Sequence, residues 1–363
     1  MSFKAFATSL VAAAALILAA CGQAAGPASP SARLGSQAAA SRPSTAGGSS
    51  TQVSVPARSG QTTKLTMSYS NVVLDDVPLW VAYEAGSFRD NGIDVDLRLV
   101  ESSTGIAALT SSEIQVASLG GSEAMSAAAG GARLAILAVI TPVYPYIFEV
   151  ASSVNTLDDL RGKKVGVSKI GSSSDIATRV GLGQVGLNPD KDVVIVQVGS
   201  AAARTAAIAN GAIQGALVEP PDNLELEKRG LHPLFDLAAL KLPAVNTCVV
   251  TTQPYLDAHR DVAQKVIDAV VAGIAREKAD KAFAVDVMKK YFKSDDTKGL
   301  SAAYDFHVKE IVPSLPYPRP ENFAASKDLL SKIDPKLTTF DVTRIIDSSL
   351  VESAAQRGLG GHS

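Results

Sequence analysis

The stretch Gly171-Ser172-Ser173-Ser174-Asp175 joins an apolar segment, 164–167, to a helix-like run, 176–187. A small-residue turn between a strand and a helix points several free backbone N–H groups at one spot. The helix dipole adds partial positive charge there, so the spot suits an anion. Three other turns have the same make-up: Ser70-Asn71, Ser102-Ser103-Thr104 and Gly120-Gly121-Ser122. Each offers hydroxyls and close backbone approach without fixed charge. Taken singly, each reads equally well as turn and N-cap chemistry. Together they nominate Ser70, Asn71, Ser103, Thr104, Gly121, Ser122, Ser172, Ser173 and Ser174 as ligand contacts. Glu219 joins them. It ends an apolar run and is followed by Pro220-Pro221. A carboxylate there can receive an ammonium or amidine, or can simply be a solvated strand end. With an anion held at the facing helix terminus, the combination fits a zwitterion or a polar heterocycle. Asp175, an acid in the helix's first turn, already uses the dipole and argues against a bare phosphate.

These turns need strands and helices in alternation to bring them to one edge. Strands read at 65–69, 93–100, 115–119 and 134–140, with helices expected over 78–89, through 109 and to 129. A second unit starts near Leu157, with strands at 164–167, 193–198 and 215–219 and a helix over 201–209. The chain beyond 251 reads as helices at 259–278, 281–291, 300–312, 321–333 and 342–357. Strand then helix at short spacing predicts an α/β fold with mainly parallel sheets and a helical C-terminal part. Ligands then sit outside the carboxyl ends of the strands. The units imitate each other: Glu113-Ile114-Gln115-Val116-Ala117 returns as Ala212-Ile213-Gln214-Gly215-Ala216.

The chain has 363 residues, 46% hydrophobic and 19% charged, enough for two cores. Residues 1–62 hold four basic residues and no acid. The rest holds 30 basic and 36 acidic residues, which offers no basic face for nucleic acid. Lys4 and the apolar 10–20 form a signal peptide that ends in Leu18-Ala19-Ala20-Cys21-Gly22. This resembles the lipobox of bacterial lipoproteins, which implies lipidation of Cys21 and an anchor that does not span the membrane. Residues 21–62, rich in Ala, Ser, Gly and Pro, read as a disordered tether. The other cysteine, Cys248, lies in an apolar run and reads as a buried small hydrophobe. Nucleotide and metal motifs are not supported. Gly181-Leu182-Gly183-Gln184-Val185-Gly186 falls late in a helix, and the four His are scattered. No catalytic residue, metal or cofactor is expected.

The run 78–88 with Asn91-Gly92-Ile93-Asp94-Val95, then 160–167, and then 211–216 with Glu219-Pro220, resembles periplasmic-binding-protein-like receptors of ABC importers. The nearest branch is that for aliphatic sulfonates, taurine, nitrate and thiamine-pyrimidine precursors. Gln115 and Gln214 stand where that family often has Asp. The resemblance implies a two-lobe, type II-like periplasmic binding protein fold. It also implies crossovers near 148–151 and 244–249, so that lobe I is 63–148 plus 249–363 and lobe II is 149–248. It further implies a small-molecule ligand in the interlobe cleft, a partner permease with its ATPase, a monomer, and a site on the outer face of the membrane. The alternative is an enzyme on the same fold, with Glu219 as its one candidate base.

Overall fold

The computed structural model describes residues 62–360. The signal peptide, Cys21 and all of the tether but Thr62 lie outside the described residues. Among the described residues, no helix is long and apolar enough to cross a membrane.

Strand β1 (Thr63–Tyr69) leads through helices α1 (Val77–Glu84) and α2 (Ser87–Asp90) to β2 (Ile93–Leu99). The single helix expected over 78–89 is two. Gly86 breaks it with φ +82°, a left-handed conformation that costs glycine little. Then follow α3 (Ser102–Thr110), β3 (Val116–Gly120), α4 (Gly121–Ala129) and β4 (Leu134–Val143). The second unit runs β5 (Ile147–Val150), β6 (Lys164–Val167), α5 (Ser173–Gln184), β7 (Val194–Gln197), α6 (Ala201–Ala209), β8 (Gly215–Val218), α7 (Asp222–Lys228) and β9 (His232–Asp236). Strand β10 (Pro243–Thr252) precedes α8 (Gln253–Ala258), α9 (Arg260–Ala279), α10 (Lys281–Phe292), α11 (Thr297–Phe306), α12 (Ala324–Ser331) and α13 (Ser349–Gln356). The last three expected helices are shorter than the sequence suggested. A π turn continues α11 to Ile311, and 3-10 turns at Pro320–Phe323 and Val342–Ile345 stand before α12 and α13.

Two five-stranded sheets result, in the orders β2-β1-β3-β10-β4 and β7-β6-β8-β5-β9. In each, one strand runs against the rest: β10 is antiparallel to β3 and β4, and β5 to β8 and β9. Each odd strand comes from the other side of the molecule. The chain passes between sheets at 144–146 and at 237–242. Both passages come a few residues before the expected crossovers, because 148–150 and 244–249 are themselves strand. Side chains alternate across both sheets, as the period of two demands. In β8, Leu217 joins the core under α5, while Ala216 and Val218 face α6 and α7. In the first lobe, Met67 and Val249 pack toward α1 and α9, and Leu119 and Val250 toward α3 and α4. Cys248 is fully buried in β10.

The internal repeat has a physical cause at the two glutamines. Gln115 Oε1 accepts from Thr66 N at 2.9 Å, and its Nε2 donates to Ser112 O at 3.2 Å. Gln214 Oε1 accepts from Lys164 N at 3.3 Å, and its Nε2 donates to Gly211 O at 3.1 Å. Each glutamine thus ties one strand, at mid-length in β1 and at the opening of β6, to the turn before its neighbour. An aspartate accepts but cannot donate, so the amide serves both sides of the junction.

Close helix packing carries a testable cost. A Cβ on Gly273 of α9 would lie 2.5 Å from Pro78 O and 2.6 Å from Ala82 Cβ on α1. Gly273→Ala gains helix propensity of about 1 kcal/mol but forces the two helices apart. The net expectation is a loss of about 2 kcal/mol and a lower melting temperature. An unchanged or raised melting temperature would show that α1 yields freely.

Candidate functional site

The carboxyl ends of β1, β3, β6 and β8 face each other across the space between the sheets. That space is a cleft of about 440 Å³, counting its opening to solvent. From the first lobe come Ser70, Asn71, Asp75, Ser102, Gly120, Glu123, Asn246 and Thr247. From the second come Ser168, Ser172, Ser173, Ser174, Arg204 and Glu219, with Tyr146 from the connecting segment.

Six of the ten nominated contacts line this cleft: Ser70, Asn71, Ser172, Ser173, Ser174 and Glu219. Four do not. Consecutive residues on a helix's first turn point about 100° apart, so the helix's rotation decides which reach the cleft: all three serines at the start of α5 do, but only one residue of each turn at α3 and α4. On α3 that residue is Ser102, whose Oγ accepts from Gly120 N at 3.2 Å. Ser103 faces Lys169 across an outer groove, where Lys169 Nζ donates to its Oγ at 3.4 Å. Thr104 gives its N–H to Glu101, the N-cap of α3. On α4, Gly120 faces the cleft. Gly121 instead packs on Val245, where a Cβ would come within 2.0 Å of Val245 Cγ2, and Ser122 Oγ donates to Ser326 Oγ at 3.1 Å.

Beyond the turns, the cleft is lined by buried charged groups. Asp75 is 1% exposed. Its Oδ2 accepts from Asn246 Nδ2 and Thr247 Oγ1, both at 2.6 Å, and its Oδ1 has no partner. Burial raises its carboxyl above the ordinary value, against the pull of Thr247 and the charge of His307. Glu219 is 7% exposed, with Oε2 unpartnered. Burial, then the charge of Asp75, raises it well above the ordinary range, while Arg204 draws it back. Arg204 is 4% exposed. It donates to Ser168 Oγ and Gly199 O, and its Nε has no partner. Burial lowers its affinity for its proton, and the nearby Tyr146 and Glu219 oppose this. Tyr146 OH donates to Asn246 Oδ1 at 3.1 Å, so its ring is fixed at the wall of the cleft. Tyr144 is buried in the second lobe's core and does not line the cleft.

Sequence reasoning passed over Asp75, Glu123 and Arg204. Arg204 carried a readable signal, since it is the one charged residue between Asp192 and Glu219. Asp75 carried little, because an acid beside a polar turn is ordinary.

Three carboxylates and one guanidinium therefore line a space with unpartnered acceptors on Asp75 and Glu219 and an unpartnered donor on Arg204. Buried polar atoms are seldom left without partners. A ligand with N–H donors toward the two acids and an acceptor toward Arg204 would satisfy all three.

Two α/β lobes closing on a polar cleft make up the periplasmic binding protein fold. The family described as NMT1/THI5 like matches residues 75–280, more than half of the chain, and the chain belongs to that family. Among solved structures, it is similar to the alkanesulfonate-binding protein SsuA from Xanthomonas axonopodis pv. citri bound to MOPS. That match has 18% identity and a TM-score of 0.63, covering 81% of this chain and 98% of that one. It is also similar to the periplasmic nitrate-binding protein NrtA from Synechocystis PCC 6803, at 15% identity and a TM-score of 0.64, covering 82% and 89%. A DszB variant in complex with biphenyl-2-sulfinic acid aligns at 17% identity and a TM-score of 0.61, covering 80% and 99%. At such identities these likenesses speak for the fold alone. No curated protein matches the chain in sequence.

Proposed function

We propose that this chain is the extracytoplasmic solute receptor of an ABC importer, anchored by lipid on Cys21, and that it carries a small polar organic molecule in the interlobe cleft to a permease and its ATPase. The observation that carries this reading is the set of buried charged groups that each keep an unpartnered atom, Asp75, Glu219 and Arg204, which line one space from both lobes. Groups from two lobes on one ligand convert binding into lobe closure. Family membership and the fold of SsuA and NrtA support the receptor role. Among small anions and zwitterions, the excess of carboxylates favours those that also bear N–H donors: a taurine-like zwitterion or an aminopyrimidine-like heterocycle ahead of nitrate or a plain alkanesulfonate.

A thermal-shift screen over taurine, alkanesulfonates, nitrate, carboxylates and aminopyrimidines tests this. Stabilisation by an N–H-bearing member is expected, growing with concentration as linkage requires. A chain stabilised by none of them, or by nitrate alone, would contradict the reading.

A further inference from the structure

The start of α5 is the anion seat that the sequence singles out, and the protein's own groups fill it. Ser172 Oγ accepts from Asp175 N at 3.4 Å. Asp175 accepts from Gly171 N at 2.8 Å and pairs with Arg179 at 2.9 Å. Among the donors left over, Ser173 N and Ser173 Oγ reach across to the first lobe. Both go to a single oxygen, Glu123 Oε2, at 3.2 and 3.0 Å. Glu123 belongs to α4, in the other lobe. A carboxylate at a helix N-terminus is in the place where the dipole and the free N–H groups favour negative charge. The backbone of α4 makes room for it: a Cβ on Gly120 would stand 2.2 Å from Glu123 Oε2 and 2.8 Å from Ser173 Oγ.

We propose that Glu123 is a built-in occupant of the anion seat on α5, which bolts the lobes together and denies that seat to free sulfonates and other simple anions. The proposal rests on the reading of the cleft as a ligand site. It assigns selectivity to a residue that binds no ligand itself. With the seat filled, the groups left for a ligand are the unpartnered atoms of Asp75, Glu219 and Arg204, two acceptors to one donor. Selection then runs through N–H donors on the ligand and not through its anionic head.

Glu123 also separates the cleft from an outer groove of about 900 Å³ that shares Glu123 and Ser172 with it and is lined by Ile106, Ile170, Leu330 and Leu337. Vacating position 123 therefore opens the seat to solutes from two sides.

The test is isothermal calorimetry on the full chain with methanesulfonate and with inorganic sulfate, at constant ionic strength. Glu123→Ala is expected to bind methanesulfonate at least about tenfold more tightly than the wild type. Gly120→Ala fills the seat instead of opening it. Its backbone, at φ −65° and ψ 128°, accepts alanine, and the new Cβ evicts the carboxylate but stands 2.8 Å from Ser173 Oγ, where an anion's oxygen would sit, so this variant is expected to stay as blind to methanesulfonate as the wild type. Glu123→Gln keeps an oxygen on Ser173 and stays blind to the anion, and it serves as the folding control. Equal anion affinity in the wild type and Glu123→Ala overturns the proposal, as does the absence of anion binding in both. If a ligand from the thermal-shift screen binds the wild type while Glu123→Ala ignores methanesulfonate, the latch fails and the receptor reading stands. If no solute binds any of these chains, both fail.

Discussion

Glu219→Gln lowers affinity for the cleft's ligand by about 100-fold and flattens its dependence on pH. The side chain keeps its size, so packing around Pro220 and Asp222 is preserved, while the charge-assisted hydrogen bond to an N–H donor becomes a neutral one. Such a loss is worth about 2–3 kcal/mol in a desolvated site, which is near two decades in Kd. The pH dependence has a definite sign. Burial and the charge of Asp75 hold the Glu219 carboxyl well above the ordinary range. In the empty cleft it therefore keeps a proton at a pH where an exposed glutamate has lost its own. A ligand ammonium or amidine favours the ionised acid, so binding expels that proton. Wild-type affinity accordingly rises with pH through the raised pKa and falls in acid, whereas the amide variant has no proton to lose at position 219 and keeps only the weaker dependence set by Asp75, which burial also raises. Calorimetry between about pH 5 and pH 9 reads both effects, taking the exposed-glutamate value as the lower reference. Full affinity in the variant removes Glu219 from the site. Retained binding with loss of a chemical turnover would move the protein from receptor to enzyme.

The difference between what could be read and what could not follows from the range of the forces involved. Turn chemistry is local, so Ser70-Asn71, Ser172-Ser173-Ser174 and Glu219 were legible where strand met helix. Which member of a helical turn faces the cleft is set by the helix's rotation, and that rotation answers to packing far away in sequence. Hence Ser102 and Gly120 replace Ser103, Thr104, Gly121 and Ser122. Glu123 illustrates the limit further. The donors of α5 were expected to await a ligand's anion, and the anion is supplied by a residue 50 positions earlier on the other lobe. No local pattern announces such a partner.

The fold shows the same division. Strands with continuous apolar runs were found, as were α6 and α9, because their periods are internal to the segment. Two strands escaped. Strand β5, Ile147–Val150, has four residues and a buried glutamate, and β9, His232–Asp236, contains Pro233. Proline removes a ladder donor and is confined to edges and bulges. Strand β9 is the edge of its sheet, which is where Pro233 is tolerated. The crossovers implied by the family resemblance, 148–151 and 244–249, fall on β5 and β10 themselves, and the loops that pass between the sheets lie just before them.

The glutamate that obscures β5 leads to the largest expected gain in stability. Glu149 is fully buried, both of its carboxyl oxygens lack partners, and burial followed by the charge of Glu227 raises its pKa to about 8. The unfolded chain ionises the same group near the ordinary glutamate value of 4.5. Between those two values the folded chain holds a proton that the unfolded chain has released. Stability therefore falls as pH rises through that window and levels off above it. At 1.36 kcal/mol per pK unit, the cost at pH 8 is about 4 kcal/mol. Glu149→Gln has nothing to ionise. The variant is expected to match the wild type near pH 4 and to exceed it by about 4 kcal/mol near pH 8, as read from urea denaturation at both values. The effect belongs to the second lobe's sheet, where Glu149 lies between Ala216 and Pro233 and away from the cleft lining. Ligand affinity should therefore be unchanged, which separates this variant from Glu219→Gln. A stability gain of equal size at both pH values would assign the benefit to packing instead of the proton. A loss at pH 8 would mean that the carboxylate has a partner in the folded chain after all.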